Sequence, residues 1–123
     1  MTAQQWLFAG GIYTAGFAIF HLAFWRLFNW KEQLPKLSPI NRAVMQVMNL
    51  TLTTVFILFA WISIAYADAM AGTDLGRVVT GGIAVVWALR AAQQLVFFNK
   101  SAASLSFFVL FVFGAALYTL PLL

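Results

Sequence analysis

Arg90 stands inside an apolar run, Gly81–Phe98, that holds no other charge. Placing a charge within a membrane costs about 2.5–3.5 kcal/mol or more, so such a residue normally faces protein or water and finds a partner. The groups available to meet it are few. His21 is the only histidine of the chain, and the remaining polar side chains of interest are Gln46, Asn49, Thr53 and Gln94, with the indole of Trp87. Gln46, Asn49 and Thr53 follow an i, i+3, i+7 spacing, and so do Trp87, Arg90 and Gln94. Each trio therefore shares one face of a helix. Measured inward from the nearer end of each apolar run at the helical rise, His21, Asn49 and Arg90 reach similar depths of ~9–12 Å. Gln46 and Gln94 form a shallower layer and Thr53 a deeper one, while the opposite half of the apolar runs is nearly bare of polar groups. The expected arrangement is a polar pocket between helices, lined by His21, Gln46, Asn49, Thr53, Trp87, Arg90 and Gln94.

Several chemistries are excluded by composition. No Asp or Glu lies within an apolar run, which argues against the carboxylate-based binding of protons and cations used by antiporters. Paired-carboxylate acid/base catalysis goes with it. A hydroxyl nucleophile served by His21 has no acid at the same depth to orient the imidazole. One His and no Cys cannot build a tetrahedral metal site, and a single His ligates haem only in a symmetric pair. No catalytic residue, metal ligand or cofactor is therefore expected. A fixed cation, an imidazole and several amides suit an anionic group such as a phosphate, a carboxylate or a polar quinone-like head. The apolar half of the same space suits an acyl or isoprenoid tail.

The elements that must hold these residues are long helices. With 63% hydrophobic and 8% charged residues, the chain lies far from the ~25% charge of soluble domains. The expected fold is all-α, a single transmembrane domain over residues 1–123, with antiparallel spans near 5–28, 43–67, 75–98 and 102–120. Gly10, Thr14 and Ala18 form a small-residue stripe on the first span that admits a close helix neighbour. The loop at 29–42 contains Pro35 and Pro39, which discourage helix. Ser38 and Pro39 read as N-cap and first residue of the second helix. The acidic stretch 68–74 reads as a surface turn, with Asp74 capping the third helix.

The net charge of +4 does not indicate nucleic acid, because its residues are scattered between apolar runs. Arg26, Lys31, Lys36 and Arg42 flank the first loop against Glu32 alone, Lys100 lies in the third loop, and Asp68 and Asp74 lie in the second. The positive-inside rule then places the first and third loops in the cytoplasm and both termini outside an inner membrane. The N-terminal residues lack the positive region of a secretory signal, so the first apolar run is expected to remain. His21 within Phe20-His21-Leu22-Ala23-Phe24-Trp25, with Asn49 early in the second span, resembles small bacterial inner-membrane proteins of DoxX-like layout. That resemblance implies a four-span membrane protein and brings no reaction with it. The functional expectation is binding or translocation of an anionic amphiphile, with membrane lipids as partners. Two alternatives are a structural subunit of a homo-oligomer or larger membrane complex, and a lipid-modifying enzyme using His21.

Overall fold

The computed structural model describes the whole chain, Met1–Leu123, and it is helical throughout, without strands. Helix α1 spans Ala3–Leu22. It starts on a reciprocal cap: Thr2 Oγ1 accepts from the Gln5 N–H at 3.2 Å, and the Thr2 N–H donates to Gln5 Oε1 at 2.8 Å. This arrangement satisfies two of the donors that a helix start leaves free. The helix ends at Leu22, not near residue 28 as the unbroken apolar pattern suggests. The Ala23 N–H reaches both Ile19 and Phe20 carbonyls, the tightened last turn common at helix ends. A short helix α2 (Phe24–Leu27) follows, then Asn29 turns the chain in a left-handed conformation, φ 53°. Asn visits that region because its short polar side chain can hydrogen-bond locally, and here Asn29 Nδ2 donates to Glu32 Oε2 at 3.0 Å. Helix α3 (Trp30–Gln33) and a 3-10 turn (Leu34–Lys36) fold back, burying Trp30 and Leu34. The first loop is thus ordered and partly helical, against the expectation from its prolines.

Helix α4 (Pro39–Ala65) opens with Ser38 Oγ accepting from the Asn41 N–H and Pro39 in the first position. The second connection also corrects the sequence reading. It is a short helix α5 (Ala67–Gly72), and Thr73, not Asp74, caps helix α6 (Asp74–Phe97) by accepting from the Gly76 N–H at 2.9 Å. Asp74 lies in the first turn, where its charge complements the helix dipole. Helix α7 (Ala102–Thr119) starts on Ser101 and ends in a 3-10 turn at Leu120–Leu122.

Three helical segments are long and apolar enough to cross a membrane: Pro39–Ala65, Asp74–Phe97 and Ala102–Leu122. α1 is not among them. Only 27 of the 123 residues are buried, and large apolar side chains such as Ile57, Trp61, Val85, Val96, Val109 and Phe113 face outward. So much outward apolar surface marks a membrane protein, since in water it forms an extended patch that promotes association.

α1 packs along α4, α6 packs along α7, and α1 joins the two pairs through α7. α4 and α6 have no comparable backbone approach and meet through the stacked rings of Phe56 and Trp87, 5.0 Å apart. The α1–α7 contact is close because each helix lays a glycine under the other's tyrosine. A Cβ on Gly10 would lie 2.8 Å from the Tyr118 ring, and one on Gly114 would lie 2.5 Å from the Tyr13 ring. The small-residue stripe faces inward accordingly: Gly10, Thr14 and Ala18 are all buried.

Candidate functional site

His21 and Asn49 join α1 to α4. His21 Nδ1 and Asn49 Oδ1 are 2.8 Å apart, and Asn49 Nδ2 donates to the His21 carbonyl at 3.0 Å. A carbonyl only accepts, so the Asn49 amide nitrogen must face it and Oδ1 must face the ring. Nδ1 therefore carries a proton, and in the neutral ring Nε2 keeps its lone pair. The same bond gives a partner to a carbonyl that the end of α1 leaves free. Phe24 stacks on the imidazole at 4.3 Å and Phe56 meets its edge at 5.3 Å. Beside this clamp an open groove of about 680 Å³ runs along α4, lined mainly by apolar side chains including Phe24, Trp30, Met48 and Leu52, with Asn49 among them.

Gln46 and Thr53 do not join the clamp. Gln46 Nε2 donates to the Arg42 carbonyl at 3.2 Å, and Thr53 Oγ1 donates to the Asn49 carbonyl at 2.8 Å. Both are spent on the backbone of their own helix, one turn back. On α6, Gln94 Nε2 donates to Ser104 Oγ of α7 at 2.9 Å. The polar residues thus divide between two interfaces, α1–α4 and α6–α7.

Between them stands a column of rings. Phe56 lies nearly parallel to Trp87 at 16°, and Trp87 nearly parallel to Phe111 at 14°. Arg90 ends the column, its Cζ 4.4 Å from the Phe111 centroid and 5.3 Å from that of Phe98. At these distances a guanidinium is attracted to the ring faces. His21 and Arg90 are therefore connected through aromatic contacts and share no hydrogen bond. Phe56, Phe111 and Ser104 belong to this arrangement without having been singled out by sequence.

Three polar atoms in this region are buried without any partner: Trp87 Nε1, Arg90 Nη1 and Gln94 Oε1. They belong to the three α6 residues that share one face. Leaving a buried donor or acceptor unmet costs about 1–3 kcal/mol each, and native proteins carry few such groups. Trp87 is 1% exposed and Gln94 4%, while Arg90 is half-buried.

The opposite half of the helices is less bare than its sequence suggests. Tyr118 Oη lies 3.2 Å from Thr14 Oγ1 and 2.9 Å from Ser63 Oγ, and Ser63 donates to the Phe59 carbonyl at 2.6 Å. All three hydroxyl residues are fully buried, and they tie α1, α4 and α7 together. Hydroxyls count as small or aromatic residues in an apolar pattern, which hides the network from sequence. No group of His, Cys, Asp and Glu is placed to hold a metal ion. Compared with protein-family models, curated proteins and solved structures, the chain matches none.

Proposed function

We propose that this is a four-span inner-membrane protein that binds or translocates an amphiphile through its anionic headgroup, held on α6 by Arg90 with Trp87 and Gln94. The observation that carries the reading is the row of unpartnered buried atoms, Trp87 Nε1, Arg90 Nη1 and Gln94 Oε1, along one helix face. Trp87 Nε1 and Arg90 Nη1 both donate, and the second belongs to a fixed cation, so an anionic oxygen is the complement of that pair. Around them the rings of Phe98 and Phe111 supply apolar walls, and lipid tails have the outward apolar surface of the helices to lie against. The fourth span in this reading is α1. Its 20 residues extend ~30 Å, the thickness of a hydrocarbon core. The basic first and third loops face the cytoplasm.

The test is titration of a fluorescent-tailed, phosphate-headed lipid into the detergent-purified wild type and an Arg90→Gln variant. A lost charge-assisted contact weakens binding about 10- to 100-fold. Equal affinity of the two proteins overturns the reading and leaves a hydrophobic scaffold for a larger complex or homo-oligomer.

One observation favours a second reading, in which His21 acts on a lipid head as a base. The Asn49 clamp fixes the tautomer that leaves Nε2 free, as a general base requires. That reading demands a turnover that His21→Gln abolishes in a folded protein.

A further inference from the structure

We infer that the headgroup read by α6 is a phosphodiester that ends in a hydrogen-bond donor, an ammonium or a hydroxyl, and that Gln94 is the residue that recognises this donor. This deepens the proposed binding reading and rests on it. The chemistry follows from what each unpartnered atom is able to do. Indole Nε1–H only donates, and guanidinium nitrogens only donate. Gln94 differs: its Nε2 is committed to Ser104 Oγ, so the atom it leaves without a partner is the acceptor Oε1. Along α6 towards the third loop the order is donor, donor, acceptor, at Trp87, Arg90 and Gln94. The rise is ~4.5 Å for the first step and ~6 Å for the second.

A ligand that fits this row presents acceptors first and a donor last, counted from the interior of the membrane outward. An amphiphile anchored by its tail has a fixed order of its own. The tail lies deepest, the phosphate next, and the terminal amine or alcohol of the head nearest the loops. A phosphodiester lipid with an ethanolamine or glycerol head reproduces the row. An ionised fatty acid has no donor. A choline head has a cation without N–H or O–H. A phosphomonoester brings only acceptors at neutral pH and leaves Oε1 unmet. Ser104 matters because it fixes which end of the amide faces the ligand. With the amide turned over, Ser104 Oγ–H would donate to Oε1 and the NH₂ would face the site, which favours the phosphomonoester instead.

The experiment uses the full-length protein in neutral detergent, titrated with short-chain phosphatidylethanolamine, phosphatidylglycerol, phosphatidylcholine and phosphatidic acid, and read by native mass spectrometry. The ethanolamine and glycerol heads are expected to bind about 3- to 10-fold more tightly than choline, the scale of one hydrogen bond. Gln94→Leu removes that preference while leaving the weakening caused by Arg90→Gln intact. Gln94→Glu serves where the leucine variant fails to fold, since a carboxylate keeps the shape of the amide and Ser104 Oγ–H can turn to donate to it. It is expected to shift the preference towards ethanolamine over glycerol. Equal binding of choline and ethanolamine heads, with Arg90→Gln still weakening both, overturns the inference and spares the binding reading. Tightest binding of phosphatidic acid overturns it in favour of the turned amide. Loss of all lipid binding, with Arg90→Gln indistinguishable from wild type, overturns both.

Discussion

Asn49 has a donating and an accepting end, and both are occupied by one residue of the neighbouring helix. Replacing it with leucine leaves the His21 Nδ1–H and the His21 carbonyl without partners, at an expected cost of about 1–3 kcal/mol. Interhelical polar contacts in membranes average nearer 0.6 kcal/mol, so a double-mutant cycle is the cleaner measure. With His21→Leu and Asn49→Leu, unfolding in graded detergent mixtures is expected to return a coupling of about 0.5–2 kcal/mol. Strict additivity of the two single variants would show that the pair is not coupled. Nitrogen-15 chemical shifts of the ring are expected to show the proton on Nδ1, and a proton confined to Nε2 contradicts the clamp. Spacing along the chain makes some of this legible. It places Trp87, Arg90 and Gln94 on one face and gives His21 and Asn49 a common depth. It does not give the rotation of one helix against another, and that rotation decides who bonds to whom. Gln46 and Thr53 turn to their own backbone, and Gln94 takes Ser104 from α7. Neither outcome has a signature in spacing alone.

Between elements, the tightest seam is α1 against α7. Tyr13 is wedged there with no freedom to yield: its hydroxyl donates to the Leu110 carbonyl at 2.8 Å, and its ring meets Phe17, Trp87 and Phe113. A methyl group on Gly114 lands on that ring. Gly114→Ala is therefore expected to destabilise the protein by about 1–3 kcal/mol through overpacking, read as a lowered melting temperature in detergent. Pairing it with Tyr13→Leu, which vacates the space, is expected to recover part of the loss relative to Tyr13→Leu alone. If Gly114→Ala melts with the wild type, the seam is looser than the structure shows. Element boundaries follow the same contrast between local and long-range causes. The start of α4 is written in Ser38-Pro39, because a cap and a preset φ act within one turn. The end of α1 is not written in its own residues, since Leu22-Ala23-Phe24 is as apolar as the helix before it. What accompanies the break is Asn49, from a different helix, holding the His21 carbonyl. The helix α5 escapes notice for a related reason: a turn-forming composition at 68–74 also suits a short helix sealed on α6 by Gly76 and Met70.

For the whole molecule, the contacts sort the chain ends and connections into two groups. The start of α1 packs near α5 and the terminal 3-10 turn, and Arg77 at the start of α6 donates to the Leu122 carbonyl at 2.8 Å. Gln4, Gly72 and the C-terminus therefore share one end, and the α3 region shares the other with the third loop. The proposed crossing of α1 rests on this sorting. If α4 crosses, a neighbour packed along its length, with its start beside α5, crosses in the opposite direction. The chain contains no cysteine, so each position is testable by a single introduced thiol. Gln4→Cys, Lys36→Cys, Gly72→Cys and Lys100→Cys all lie at exposed positions, and a Cβ at Gly72 meets nothing within 4 Å. In intact cells and inverted vesicles treated with a membrane-impermeant maleimide, positions 36 and 100 are expected to react from the cytoplasmic face. Positions 4 and 72 are expected to react from the other. Reaction of 4 together with 36 removes α1 from the spanning set and overturns its packing along a crossing α4. Reaction of 36 together with 72 takes α4 out as well, and with it the hydrocarbon environment that makes an unpartnered Arg90 nitrogen worth explaining.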